Sequence, residues 1–452
     1  MTRSLTGCLL ILTCVSCRHT APRHAPNLTY VPCVHTASPC EYLTSVTLSD
    51  ENTPTIQGPQ PVEAYIQVAI QQNPELQAAR LRVQAAFSQI PVEASLQDPN
   101  LTVTTQPAHV QTAAGQQELM IGATQKVPWF GKLDVRAEVA RAQVDIARAQ
   151  LAAAELDVIT EVKRAYYELY FLQQAITVTT TEQELLADIR DVANTRYRIG
   201  GASQQDVLRA EVEVSTLQND LISLRQQQQS SRARLARLLH LPPDTELAVL
   251  DQLPTDPLPN DLEQLRLQAV HVRPELRVKL AELSKNRREV TLACLEKKPD
   301  LTFGVTWIDV GTAGISPIAN GRDAVLLSLG SNLPLNHDRI DSAVRSANAK
   351  AHSSAQEYDA LRDRTVEQVT DLFAKVQSQH EMLTLFQTDI IPKAKQALDV
   401  SNQAYNVGQV DFLQLIDNWR QLLRYEVASR RLEADLWQAL SELESIVGAL
   451  PN

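Results

Sequence analysis

Asn73-Pro74-Glu75-Leu76, followed by Asp98-Pro99-Asn100-Leu101-Thr102, returns later in the chain as Arg273-Pro274-Glu275-Leu276, followed by Lys298-Pro299-Asp300-Leu301-Thr302. The spacing inside each pair is the same. Working outward, Val127-Pro128 recurs as Leu333-Pro334, Tyr197-Arg198-Ile199-Gly200 as Tyr405-Asn406-Val407-Gly408, and the closing Leu241-Pro242 as Leu450-Pro451. Ordered matches of this kind mark a structural unit written twice, here over 61–258 and 259–452. The offset grows between the second and third landmarks, which places a longer loop around 309–323 in the second copy.

Each copy predicts a helix, two strands, a very long helix, a tight turn and another long helix. Segment 61–90 is helical, opened by Pro61 and broken near Pro74. Strands are expected at 100–106 and 118–127. In the first, Leu101, Val103 and Thr105 alternate with Thr102, Thr104 and Gln106; in the second, Leu119, Ile121 and Ala123 alternate with Met120, Gly122 and Thr124. Pro107 to Gln117 is expected as their hairpin loop. The counterparts are 300–308 and 324–333. There Leu301, Phe303, Val305 and Trp307 oppose Thr302, Gly304 and Thr306, and Val325, Leu327 and Leu329 oppose Ser328 and Gly330. Helical hairpins are expected over 129–240 and 337–448, with tips at 198–203 and 405–411. From about 129 to 197 there is no proline, which allows a rod of roughly 100 Å at about 1.5 Å per residue. Its apolar spacing (Ala140, Val144, Ala147, Leu151, Ala154, Val158) is that of a coiled coil, as is Val207, Ala210, Val214, Leu217, Leu221 and Leu224 after the turn. Gly200-Gly201 and Gly408 supply the turns.

Composition agrees. Only 5% of the 452 residues are aromatic, and Ala, Gln, Leu, Arg and Glu crowd the two hairpins, as long packed helices require. A formal net charge of −11 excludes the clustered Lys and Arg that nucleic acid needs. There is no Gly-rich phosphate loop, no His-Glu-x-x-His and no Gly-x-Ser-x-Gly, and the nine histidines are scattered, so neither an enzyme nor a cofactor is expected. No apolar run approaches the roughly 20 residues of a membrane-spanning helix; membrane contact must come from a lipid anchor or a β-barrel. Arg3 and the apolar stretch Leu5 to Val15 read as an export signal. Ser16 before Cys17 resembles a bacterial lipoprotein signal over 1–17, with Cys17 the acylated residue; a cut before Cys14 or a plain secretory signal are the alternatives. In the leader, 18–60, Cys33 and Cys40 could pair or, with His24 and His35, bind a metal; a Pro- and Thr-rich tether with scattered Cys and His is the simpler reading. Cys294 stands alone near a helix end.

Four strands are about half of the smallest membrane barrel, and an open sheet of four would expose edges that invite pairing. Several identical chains, each donating four strands to one closed barrel, resolve this. The apolar face would meet lipid, the Thr, Gly and Ser face would line water, and the helices would hang from one end. A soluble β-layer or a fibrous coiled coil would explain the strands or the heptads separately, but not their matched duplication.

These landmarks, in this order and twice over, make 60–451 resemble the outer-membrane efflux proteins, the TolC-like channel-tunnels. The resemblance implies a mainly α fold with membrane β: duplicated long helical hairpins form an α-barrel tunnel, and four strands per chain join a homotrimer's twelve-stranded barrel. It further implies a passive exit duct in the outer membrane with a long periplasmic extension, docked by its tips onto a periplasmic adaptor that leads to an inner-membrane pump. Val127-Pro128-Trp129-Phe130-Gly131-Lys132-Leu133-Asp134-Val135-Arg136 is similar to the heavy-metal and cation branch, which implies RND-type export of metal cations or small toxic compounds. Gly200, Gly201, Ala202, Gly408, Gln409 and Val410 match the family's adaptor-contacting turns. Gln414 and Asp417 stand where members can carry two acidic residues ringing the entrance, although Gln414 departs from that pattern. Asp206 matches a position whose polar contacts help hold the entrance shut. For Asp206 and Asp417 the plain alternative is a solvated or helix-starting carboxylate. The alternatives for the whole chain are the exit duct of a type I protein secretion system and a structural periplasmic coiled-coil lipoprotein anchored by Cys17.

Overall fold

The computed structural model describes residues 58–112, 114–253, 258–311 and 321–448. The expected signal 1–17 with Cys17, the leader to 57 with Cys33 and Cys40, and 312–320 of the expected longer loop lie outside the described residues.

β1 (Pro59–Gln60) pairs in parallel with β4 (Ala248–Val249), a short contact the sequence does not announce. α1 (Val62–Gln72) and α2 (Pro74–Ala94) meet at Asn73. The Asn73 Oδ1 caps α2, accepting the N–H groups of Glu75 at 2.8 Å and Leu76 at 3.3 Å. Its Nδ2 donates to the Leu238 carbonyl at 3.0 Å, fastening the start of the first repeat to the end of its second long helix. α5 (Leu262–Val272) and α6 (Pro274–Leu295) repeat this break at Arg273. The guanidinium there instead reaches Thr365 and Gln368, each at 2.8 Å.

β2 (Asn100–Thr112), β3 (Gly115–Val127), β5 (Leu301–Gly311) and β6 (Ala324–Ser331) form one antiparallel sheet in the order β2-β3-β5-β6. The loop expected from Pro107 to Gln117 is a correction: the strands continue to Thr112 and from Gly115. Pairing stops after Thr105 and resumes at Val110 opposite Gln117. Pro107 sits in that unpaired stretch, where no ladder N–H is needed. β6 stops at Ser331, short of 333, because Asn332 turns back onto Asp300. Its N–H donates to the Asp300 carbonyl at 3.3 Å, and its side-chain oxygen accepts the Asp300 N–H.

Register puts Leu101, Ala123, Val305 and Leu327 in one row and Val103, Ile121, Trp307 and Val325 in another on the same face. That face is bare: Leu101 is 68% exposed and Leu327 77%. The opposite face carries Thr124, Gly304 and Ser328 in one row and Thr102, Gly122, Thr306 and Leu326 in another. Side chains converge there. A Cβ on Gly304 would lie 2.4 Å from Ser328 Oγ, and one on Gly122 would lie 3.0 Å from Thr306 Oγ1. The outer strands β2 and β6 each keep an unpaired edge among the described residues.

α3 (Lys132–Arg198) is a single helix of 67 residues, and α4 (Gln204–Leu238) returns along it. Ala140, Val144, Ala147 and Val158 are buried at the expected spacing, as are Ala210, Leu217 and Leu221 on α4. In the second repeat the hairpin is α7 (His337–Leu385), α8 (Ile391–Asn406) and α9 (Phe412–Val447), with a π-helical turn over Phe386–Ile390. The turn is a departure from an unbroken rod. Pro392 brings no N–H and clashes with the carbonyl four residues back, so the chain takes one wider turn, in which Ile391 N–H donates to Phe386. α3 has no proline and no such turn.

Candidate functional site at the hairpin tips

Both hairpins turn by the same chemistry. α3 ends at Arg198, Gly200 takes φ 77°, and Gly201 N–H donates back to the Arg196 carbonyl at 2.8 Å. α8 ends at Asn406, Gly408 takes φ 81°, and Gln409 N–H donates to the Ala404 carbonyl at 2.9 Å. The left-handed glycine and the long-range N–H close the last carbonyls of each helix. Ile199 and Val407 stand exposed at the apices, together with Gly200, Gly201, Gly408 and Gln409, while Ala202 and Val410 are half-buried.

Asp206 lies in the first turn of α4. Ser203 N–H donates to its Oδ2 at 3.3 Å, while Ser203 Oγ accepts Gln205 N–H at 3.1 Å, a capping box. The helix-starting role is therefore occupied. The carboxylate also lies close enough to Tyr405 to act on it: burial, Asp206 and Asp411 push that phenol up, against Arg196.

Arg196 and Tyr405 join the two tips, and sequence reading missed them. The Arg196 guanidinium stacks 4.6 Å over the Tyr405 ring, donates to the Gly201 carbonyl at 3.0 Å and lies against Gly408. Tyr405 packs on Phe412 at 5.5 Å between centroids. The Tyr405 hydroxyl and Arg196 Nη1 are buried without a hydrogen-bond partner. The two copies diverge here: Tyr197, the counterpart of Tyr405, is exposed, and the residue before it takes over the bridging.

Gln414 and Asp417 share an exposed face one turn apart on α9. Asp417 is not an isolated carboxylate. Arg420 donates to it at 3.3 Å and, through Nε, to Glu213 of α4 at 3.2 Å, so the proposed ring position is half of a link between the hairpins. Farther from the tips, Glu182 on α3 is 6% exposed, one turn before Leu186 of the tip-side core and within reach of Trp419. Burial and Glu426 push its carboxyl from 4.5 up to about 6, against Trp419 and Lys395.

At the other end of α3, Gly131 takes φ 83° and delivers Lys132 inward. The Lys132 side chain is 1% exposed, and its Nζ meets Asp300 Oδ1 at 2.7 Å and the Lys298 carbonyl at 3.1 Å. Asp300 also accepts Trp129 N–H at 3.2 Å. The Gly-Lys of the first repeat is thus a latch onto the first strand of the second. Cys294 is an exposed free thiol, and no group of His, Cys, Asp and Glu among the described residues could hold a metal.

Long duplicated hairpins hung from a sheet that is apolar on one face and hydroxylated on the other define a channel-tunnel subunit. The sequence profile of the outer membrane efflux proteins matches residues 65–240 and 265–449, once per repeat. The chain belongs to that family. It is a subunit of an outer-membrane efflux channel, and it is not an enzyme. The cobalt-zinc-cadmium resistance protein CzcC of Cupriavidus metallidurans is 23% identical over 86% of this chain and 90% of that protein. Among solved structures, the outer-membrane channel OprN superposes with a TM-score of 0.74 at 20% identity, covering 86% of this chain and 90% of that one. CusC, described for its transmembrane channel formation, gives 0.73 at 16% identity over 88% and 96%.

Proposed function

We propose that three copies close into one pore, the exit duct of a tripartite efflux system, fed by an inner-membrane pump through a periplasmic adaptor. The observation that carries this is the sheet. All four strands are antiparallel, its outer strands have free edges, its bare face is apolar and its crowded face is hydroxylated. An even number of antiparallel strands lets β6 of one copy pair with β2 of the next in the correct sense. Three such sheets make twelve strands, and the edges disappear. The apolar rows then meet lipid, and the face with the Thr, Ser and Gly rows lines an aqueous lumen, with Lys126 beside Thr302 at its helix-side end, through which solutes pass passively.

On this reading Gly200, Gly201, Ala202, Gly408, Gln409 and Val410 meet the adaptor, and Asp206, Gln414 and Asp417 ring the entrance. Cys17 is the lipid anchor. The cargo is metal cations or small toxic compounds delivered by an RND-type pump; likeness to a cobalt-zinc-cadmium resistance protein favours the cations. Purified protein in detergent should run as a heat-resistant trimer and conduct in planar bilayers. A detergent-free, water-soluble monomer would end the channel reading. Deletion of the gene should lower tolerance to cobalt, zinc or cadmium; unchanged tolerance to all three would overturn the cation cargo while leaving the channel intact.

A further inference from the structure

We propose that Met120, Ile308 and Leu326 form an apolar girdle inside the barrel, on the half farther from the helices, and that it binds organic cations with alkyl or aromatic groups as they leave; the inference rests on the barrel reading above. The starting observation is a change of chemistry along the lumen face. Nearest the helices its rows read Lys126, Thr302 and Gly330, then Asn100, Thr124, Gly304 and Ser328. Every side chain there is polar. The next row brings Leu326 beside Thr306, and the row after it sets Met120 directly against Ile308, with Ala324 beyond. Leu326 is 55% exposed, and Met120 and Ile308 are half-buried.

Packing does not account for these three side chains. Among the described residues no helix lies across the sheet. Nor can the opposite wall reach them. Twelve strands about 4.8 Å apart and tilted by about 40° close a backbone ring roughly 24 Å across. Side chains take up about 5 Å on each side, half the usual spacing of packed sheets, which leaves a bore of roughly 14 Å. The girdle therefore faces water, where threonine, as in the first rows, would cost less. A wall of large apolar side chains bared to water marks a binding surface.

The duplication points the same way. Val127-Pro128 and Leu333-Pro334 are equivalent; Met120 precedes Val127 by seven residues, and Leu326 precedes Leu333 by seven. Both copies thus place a large apolar side chain at the same point of the lumen face, after positions that carry Gly122 and Thr124 in one copy and Ser328 and Gly330 in the other. Charge supplies the class of ligand. Just beyond the girdle, Asp309 pairs with Leu119, Asp323 accepts Val310 N–H at 3.2 Å, and Glu118 and Arg322 stand beside them in the chain. Three carboxylates to one guanidinium leave this rim acidic. A solute with a positive charge and a hydrocarbon body is drawn by the rim and held by the girdle. A hydrated metal cation gains from the rim alone, and the bore is wide enough to pass it.

The test uses the full-length trimer in vesicles of phosphatidylethanolamine and phosphatidylglycerol with two photoreactive probes. One is a water-borne alkylammonium ion carrying a diazirine, equilibrated on both sides of the vesicle; the other is a phospholipid with a diazirine near its chain end. Labelled positions are read by mass spectrometry of peptides. The lipid-borne probe should mark the odd-numbered side of the strands, at Val305 and Leu327. The alkylammonium should mark Met120, Ile308 and Leu326 saturably. Tetrabutylammonium should displace it at about one-tenth of the concentration that tetramethylammonium requires, the gain from taking roughly two methylenes out of water. Ile308→Thr with Leu326→Thr should weaken labelling at Met120 by about tenfold while the heat-resistant trimer band persists. If that variant does not assemble, the competition series on the unmodified trimer decides alone. Lipid-borne label with no preference for the odd-numbered side overturns the barrel reading and the girdle with it. Lipid-borne label where expected, beside alkylammonium label that does not saturate, that spreads evenly over Thr124 and Ser328, or that yields equally to both competitors, overturns the girdle and leaves the barrel standing.

Discussion

Breaking the latch between the repeats should cost more from one side than from the other. Lys132 and Asp300 side chains are 1% and 10% exposed and 2.7 Å apart. Removing one member of a buried pair costs about 3–5 kcal/mol, most of it from the charge left behind. In Asp300→Asn that charge is the Lys132 ammonium, left with the Lys298 carbonyl at 3.1 Å and Glu296 at 3.9 Å, so the cost should lie near the upper end. In Lys132→Met the stranded carboxylate keeps Lys126 at 3.2 Å and Trp129 N–H at 3.2 Å, and the lower end applies. The double variant Lys132→Met/Asp300→Leu buries no charge and leaves chiefly the Trp129 N–H unsatisfied, about 1–3 kcal/mol. The expected order of stability is therefore unmodified protein, double variant, Lys132→Met, Asp300→Asn. The assay is loss of the trimer band on unheated gels after a temperature ramp, with near-ultraviolet circular dichroism in parallel. Such assemblies unfold irreversibly, so the order of midpoints at one scan rate is the datum. A double variant no better than the worse single one, or two silent single variants, would refute the latch.

Three further outcomes follow from the geometry. Glu182→Gln should stabilise the protein at neutral pH by up to about 2 kcal/mol, at about 1.36 kcal/mol for each tenfold change in proton affinity, because the raised native value makes the charged form the unfavourable one. Its folded value near 6 against 4.5 means that the unmodified chain gains stability as pH falls through 6, so the two proteins should converge in melting scans near pH 4.5. Gly304→Val, whose Cβ would meet Ser328 Oγ at 2.4 Å, should cost about 1–3 kcal/mol and deplete the assembled trimer, while Gly330→Ala, with nothing nearer than 3.7 Å, should assemble normally. A double-mutant cycle of Arg196→Ala and Tyr405→Leu, read by thermal melting, should return a coupling of about 0.5–2 kcal/mol; additivity would remove the bridge between the tips.

Elements defined by local chemistry were legible. Proline, glycine and the periods two and 3.6 locate the strands, the rods and the turns because each acts over a few residues. The bulge that carries β2 past Pro107 was not legible, since it depends on a partner strand that supplies the pairing on either side. Nor was the π-turn, although Pro392 is its cause and was in view. The latch is the instructive case. Gly131-Lys132 stood in the sequence as a subfamily hint, but a lysine after a strand exit reads as a solvated charge until Asp300, from the other repeat, is placed beside it. Arg196 was missed for a similar reason: on α3 it is one polar residue among many, and its partner Tyr405 lies in the other repeat, at the end of α8. The candidate site was legible as positions and illegible as partnerships.

Asp206 decides between a cap and a gate, and one pair of substitutions separates the two. Its carboxylate closes the box with Ser203, which is worth about 1 kcal/mol of helix stability, and after burial its charge is the next cause that raises the Tyr405 phenol of the second tip. Asp206→Ala removes both effects and cannot tell them apart. Glu at the third helical position is the commoner partner in such boxes, so Asp206→Glu should keep the cap while carrying the charge one methylene away from Tyr405. If the residue only starts α4, Asp206→Glu will match the unmodified protein in melting and in single-channel recordings. If it also holds the tips together, melting will be restored but the closed state will not, and the channel will open at lower voltage than the unmodified trimer. The polar links at the tips are a single guanidinium stacked on Tyr405 and the Asp417–Arg420–Glu213 bridge, in which Asp417 and Arg420 are exposed. As polar contacts they are weaker than the buried latch at the barrel end, and what holds the two hairpins together near the tips is chiefly the buried core of Leu186, Ile189, Phe412, Leu415 and Trp419. Asp206→Glu recordings indistinguishable from the unmodified channel would leave Asp206 a cap alone.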